Sequence, residues 1–176
     1  MTTVFERLMG YDPFLDRDLQ RNAATPKVQP QDALNCAVPE APPGVDLNRN
    51  IGAASQIWHD QMQNDANAGL PYSFTPMLPQ AYAMFHNKAP YDYKQQGKQY
   101  APFGNFNYGA MGSAMGIPEN ILLRAAGFAQ GRAGTSLPQY GKWWSGAPYG
   151  DDRADQEQIR NGIGYYNNCY PKKRGD

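Results

Sequence analysis

The chain has 176 residues, enough for one domain with a genuine core and short of two comfortable ones. Hydrophobic residues make up 41% and charged residues only 18%, so its polar character (mean hydropathy −0.71) comes from Asn, Gln, Ser, Tyr and backbone-exposing Gly. A formal net charge of zero weighs against a general nucleic-acid binder, which normally carries a basic surplus to neutralise phosphates, and a tail of Lys172, Lys173 and Arg174 does not change that balance.

The N-terminus has no charged start followed by an apolar run, so no cleavable secretion signal is expected, and no window approaches the roughly 20 apolar residues that span a bilayer. Residues 1–45 read as an extended lead-in, a segment for wrapping the domain or for delivery. Pro13, Pro26, Pro30, Pro39, Pro42 and Pro43 prevent a long helix there, apart from a short turn near 4–9. Residues 46–176 are expected to form the functional domain.

A first helix is predicted over 46–62, with Asp46 as N-cap and Leu47, Ile51, Ala54, Trp58 and Met62 at three- and four-residue spacing. A second, short helix is predicted over 79–86, with Ala81, Tyr82 and Phe85 on one side. His59 and His86 fit helix-surface or capping roles better than catalytic ones. Residues 87–106 read as irregular, and 107–116 as a helix or turn. The small residues Gly109, Gly112, Ser113 and Gly116 would let that second stretch approach another element closely. The clearest helix covers 118–130, with Pro118 at its first position, Glu119 at the positive dipole end, Gly131 past its end, and Ile121, Leu122, Ala125, Phe128 and Ala129 buried. A loop over 131–150 carries Trp143 and Trp144. A last helix starts near Asp151 or Asp152, buries Ile159, Ile163 and Tyr166, and stops before Pro171. The expected class is mainly α (α+β being the alternative): one compact domain of short helices with long Gly/Pro-rich loops and an extended N-terminal segment. Cys36 and Cys169 form either one bridge, closing a loop of about 130 residues and stabilising by roughly 4–5 kcal/mol, or two free thiols.

Familiar catalytic motifs are missing: no phosphate-binding Gly-rich loop, no His-Glu-x-x-His, no nucleophile elbow, and no Cys/His spacing suited to zinc. No cofactor or metal is therefore expected, although Asp151, Asp152 and Asp155 form an acidic cluster that could ligate a divalent cation. Acid–base candidates are Asp92, Lys94, Glu119, Asp151, Asp152 and Asp155. Two carboxylates in unlike environments, one kept protonated by burial, are the minimum kit for cleaving a glycosidic bond. Asp92 lies between Tyr91 and Tyr93, which would raise its pKa, whereas pairing with Lys94 would lower it; catalytic pair and ion pair both stay open. Phe103-Gly104-Asn105-Phe106-Asn107-Tyr108-Gly109 sets two amides and a ring between glycines, a pattern suited to a polar substrate or to a buried turn. In Tyr149-Gly150-Asp151-Asp152, helix capping is the competing explanation of the carboxylates.

Taken in order, Pro43-Gly44-Val45-Asp46-Leu47-x-x-Asn50-Ile51, Tyr91-Asp92-Tyr93-Lys94-Gln95, Phe103 to Gly109, Leu122-Leu123-Arg124-Ala125-Ala126-Gly127-Phe128-Ala129-Gln130 and Tyr149-Gly150-Asp151-Asp152 resemble the bacterial polymorphic toxin type 44 domain. The likeness covers about residues 42–166. It departs where the family often has Gly-Pro-Trp-Asp-Tyr-Lys, since here Ala89-Pro90-Tyr91 precedes Asp92. The resemblance implies an effector released against competing bacteria and paired with a cognate immunity protein. It also implies a secretion-apparatus component as carrier, type VI secretion being the suited route. The family's label is a predicted ribonuclease. Neutral charge, scarce His and abundant Tyr and carboxylates instead favour a hydrolase of peptidoglycan in the target periplasm, with RNA in the cytoplasm as the alternative substrate. A non-enzymatic structural or adaptor role is the third possibility. The residues expected to carry chemistry are Asp92, Lys94, Glu119 and Asp152. Those expected to bind substrate are Tyr93, Gln95, Asn105, Asn107, Tyr108, Arg124 and Asp151.

Overall fold

The computed structural model describes residues 36–171. The predicted turn near 4–9, most of the lead-in and the basic tail lie outside the described residues. The described part contains five α-helices and no β-strand: α1 (Leu47–Asn67), α2 (Met77–Phe85), α3 (Ala101–Ala114), α4 (Glu119–Arg132) and α5 (Arg153–Asn168), with short 3-10 turns at Tyr93–Gln96, Lys98–Tyr100 and Pro138–Tyr140. The class is mainly α, as expected. None of the described helices is long and apolar enough to cross a membrane.

Helix α1 starts where predicted. Asp46 has extended backbone and its carboxylate accepts from Arg49 N (3.1 Å), satisfying one of the amides that a helix N-terminus leaves open. It runs one turn past the predicted end, because the apolar stripe stops at Met62 while the helix-compatible residues continue to Asn67.

The main departure from expectation is α3. The 101–106 stretch, read as irregular, and the 107–116 stretch form one 14-residue helix, and ten of its residues are buried. A helix covered on every side has no polar face, so the apolar stripe that reveals surface helices is absent. Phe103, Phe106, Ala110 and Met111 anchor the core, together with Ile51, Met77, Leu122 and Ile159. Helix α5 crosses α3 most extensively, and glycine allows it. A Cβ on Gly109 would run into the Ile159 carbonyl, and one on Gly162 into the Phe106 carbonyl. Two glycines facing each other's helix set the closeness of this crossing.

Helix α4 starts at Glu119 with Pro118 as its N-cap, one position before the predicted place. It continues through Gly131 to Arg132, so the left-handed residue after its end is Gly134 (φ 73°), not Gly131. Leu122, Leu123 and Gly127 are its buried residues, while Ala129 is exposed. Asp152, one of two predicted starts, caps α5 through Ala154 N (2.8 Å); Ile159 and Ile163 are buried and Tyr166 is half-buried. The cysteines form a disulfide, Cys36–Cys169, across 133 positions of sequence. It ties the start of the described chain to the end of α5.

Candidate functional site

The polar residues singled out in the sequence separate into two groups. The first is architectural. Asn50 of α1 donates through Nδ2 to the Tyr93 hydroxyl (2.8 Å) and to Asn107 Oδ1 (2.9 Å), and Asn107 Nδ2 points at Met111 Sδ (3.1 Å). All three side chains are buried, so the network fastens α1, α3 and the 93–96 turn to one another. Burial raises the Tyr93 pKa most, the Asn50 hydrogen bond lowers it, and Tyr91 raises it slightly. Asp92 belongs to the same turn. Its Oδ2 accepts from Lys88 N (2.8 Å) and from Gln95 Nε2 (3.0 Å), and Gln95 also donates to Asn87 Oδ1. Lys88 itself has a left-handed backbone (φ 66°), which the Asp92 carboxylate holds in place. His86 stacks on Tyr82 at the end of α2, and its Nδ1 lies 2.8 Å from Asn87 O.

The second group converges at the start of α5. The preceding loop turns sharply, with Tyr149 (φ 60°) and Gly150 (φ 84°) both left-handed. Arg124 of α4 stabilises this turn: its guanidinium lies over the Tyr149 ring (4.5 Å from the centroid) and donates to Trp143 O (2.8 Å) and Ser145 O (3.2 Å). Gly127 lets the Tyr149 carbonyl sit directly on α4, where a Cβ would collide with it. Gly150 N donates to Tyr140 O (2.7 Å), and Ser136 Oγ donates to Gly150 O (2.6 Å). The outcome is that Asp151 is turned inward and is 3% exposed.

Asp151 Oδ2 accepts from Gln156 Nε2 (2.7 Å) and Oδ1 from Asp152 N (3.0 Å). Burial pushes its pKa up to about 6, with the Asp155 charge acting in the same direction; the two hydrogen bonds and the Lys94 charge oppose the rise without cancelling it. Asp155, half-buried one turn along, is also raised, first by burial. Lys94 lowers it, Asp152 raises it, and the Asn105 amide lowers it. Asp152 behaves oppositely. It accepts from the Tyr140 hydroxyl and from Ala154 N, which hold it below the usual carboxylate range, and the same contact raises Tyr140. Asp152 N in turn donates to Gln130 Oε1 (3.2 Å). Tyr108 donates to Leu122 O (3.0 Å), and its pKa is raised by burial and by the Asp151 charge.

Three carboxyls within five residues thus differ in environment, with Lys94 within electrostatic reach of two of them. Two buried polar atoms beside them are unused: Asn105 Nδ2, which approaches Asp155 without completing a hydrogen bond of normal geometry, and Gln156 Oε1. Buried polar atoms are rarely left so, and functional sites are where such exceptions concentrate. Among the described residues no group of three or more His, Cys, Asp or Glu side chains is arranged to hold a metal ion.

Of the residues named from sequence, Lys94, Asn105, Tyr108, Asp151 and Asp152 gather here. Tyr93, Gln95, Asn107 and Asp92 lie in the turn and the network described above. Arg124 holds the loop, and Glu119 pairs with Arg160 on the surface (3.6 Å). Tyr140 and Gln130 had no assigned role because their value depends on contacts 12 and 22 positions away. Gln156 and Asp155 are legible as part of the acidic run, but Gln156 as the partner of Asp151 and Leu123 O, and Asp155 as the neighbour of Asn105 and Lys94, are not.

The fold and the site define an all-helical domain, among the described residues, built around a buried carboxyl cluster. Residues 52–168 match the family model of bacterial toxin 44, more than half of the chain, and the protein belongs to that family of bacterial toxins. No curated protein and no solved structure matches the chain.

Proposed function

We propose that this toxin is a hydrolase that cleaves the glycan strands of peptidoglycan, with Asp151 as general acid and Asp155 as its ionised partner. The observation that carries the reading is the unlike burial of neighbouring carboxyls. Asp151 is buried and raised to about 6, so it retains a proton at mildly acidic pH, while Asp155, also raised by burial, is only half-buried, and the Lys94 charge works against the rise in both. Such a pair is what glycosidic cleavage requires. The Asp151 proton passes to the bridging oxygen as the bond to the anomeric carbon breaks. The Asp155 carboxylate supports the positive charge developing on the sugar and takes a proton from the water that completes hydrolysis. Asp152 has a different part: engaged by Tyr140 and by its own helix, it orients the start of α5 and with it Asp151. Neutral overall charge suits a glycan substrate better than a polyphosphate.

The same reading places the target in the periplasm of a competitor. It calls for a cognate immunity protein there, and for carriage by a secretion-apparatus component of the type VI kind. One observation favours a ribonuclease instead: Lys94 beside the carboxylates could stabilise charge on a phosphate in the target cytoplasm. Expression in the two compartments separates these readings. Toxicity only on direction to the periplasm, with purified protein releasing soluble muropeptides from sacculi, is the expected result. Toxicity from the cytoplasm with RNA fragmentation and intact sacculi would overturn the glycan reading.

A further inference from the structure

Beyond the carboxyl cluster, the loop between α4 and α5 encloses an open groove of about 630 Å³ against the end of α4. That volume is within the range of small-ligand sites, roughly 300–1,000 Å³. Its aromatic wall is a row of three rings. Trp143 meets Phe128 edge to face (centroids 5.8 Å) and Trp144 in the same way (5.3 Å), leaving Trp144 62% exposed. Leu137, also exposed, continues the apolar surface. Two cations, Arg132 and Lys142, line the groove; no carboxylate does, and neither cation forms an ion pair with a described residue.

The groove is held open. Arg124 grips the Trp143 carbonyl, and Lys142 N and O both bond Ser145 Oγ (3.0 and 2.7 Å), so Trp144 projects from a closed turn. Gly131 and Gly134 leave the floor bare, since a Cβ at either would meet nothing within 4 Å. The backbone of the groove wall leads directly into the segment that carries the carboxyls. Gly150, on its wall, immediately precedes Asp151. Gly127, another wall residue, packs against Asp151 N, and Tyr140, whose hydroxyl reaches Asp152, sits between Pro138 and Gly141 of the lining.

We propose that this groove is a subsite for a carboxylate-bearing glycan strand, with sugar faces stacked on Trp144 and Trp143 and the acid groups of the strand met by Arg132 and Lys142. The proposal rests on the glycan reading of the carboxyl cluster and extends it to substrate choice. The exposed Trp144 ring offers the apolar face of a sugar a flat surface, with half-buried Trp143 set edge to face beside it, and cations that meet no carboxylate among the described residues select an anionic strand over a neutral one. Two cations suit a strand with one charge per repeat better than a nucleic acid with a phosphate at every residue.

The test is a titration of the full chain carrying Asp151→Asn, followed by tryptophan fluorescence. The probes are soluble peptidoglycan glycan strands freed of peptides but retaining the lactyl carboxylates, neutral chitotetraose, and a single-stranded RNA oligonucleotide. The charged strand is expected to bind most tightly. Trp144→Ala, at an exposed position, should weaken it about tenfold, as truncation of a central aromatic anchor does. Arg132→Gln with Lys142→Gln should erase the preference over chitotetraose. Unchanged affinity in Trp144→Ala, or tighter binding of RNA than of glycan, overturns the subsite. Trp144-dependent binding without digestion of sacculi by the unmutated protein keeps the subsite and removes the hydrolase reading. Digestion with an unchanged KM in Trp144→Ala keeps the hydrolase reading and removes the subsite.

Discussion

Two buried polar regions lie on either side of α3, and they are resolved in opposite ways. In the Asn50–Tyr93–Asn107 network the amide and hydroxyl groups meet one another, and no charge is present. At the Asp151–Asp155 cluster carboxyls are desolvated, and Asn105 Nδ2 and Gln156 Oε1 lack partners. The same helix supplies both, Asn107 to one and Asn105 to the other. Two positions apart on a helix, side chains point about 200° apart, so the two amides of one short motif serve different regions. The first region specifies how the helices assemble, because a satisfied polar network tolerates few alternative packings. The second holds groups in states that cost stability, which is where chemistry is to be sought.

The sharpest break between the two regions is expected from Asp151→Asn. Loss of a general acid should reduce muropeptide release by about 10²–10⁴-fold while circular dichroism shows an intact fold. If release persists within a few-fold, Asp151 is not the acid. Asn50→Ala should do the reverse. It strands the Tyr93 hydroxyl and Asn107 Oδ1 in the core, costing about 2–4 kcal/mol in urea unfolding, with activity per folded molecule retained.

The carboxyl cluster should also announce itself in stability against pH. The Asp151 pKa is raised from 3.8 to about 6 in the folded chain, so the fold binds that proton more tightly than the unfolded chain does. The stability it confers is complete below pH 3.8 and is lost as pH rises through about 6. Relative to Asp151→Asn, the unmutated protein should therefore lose about 2–3 kcal/mol between pH 4 and pH 7; a flat difference would show that Asp151 is solvated. The smallest effect is expected from Lys94→Met. Without its charge both Asp151 and Asp155 titrate at higher pH, and both limbs of the pH–activity profile should move upward. A profile that falls in height without moving would place Lys94 on the substrate instead.

The sequence alone determined the helical class, the Asp46 cap, the helix over 118–130 to within a few residues, and the ordered motifs that identify the family. These depend on local chemistry: caps, proline positions and apolar spacing act over three or four residues. What only the tertiary structure decided was how those motifs divide. Helix α3 was hidden because burial on all sides removes amphipathic periodicity, and the close crossing of Gly109 and Gly162 replaces it. Asp92 and Asp151 each lie in a polar run close to a tyrosine, and neither run says which carboxyl is desolvated. Contacts from distant elements do: Lys88 and Gln95 tie Asp92 into a turn, whereas α4, through Arg124 and Gly127, turns Asp151 away from water. A carboxyl's pKa is set by solvent exclusion and by charges brought from elsewhere in the chain, and neither is a property of the residues beside it.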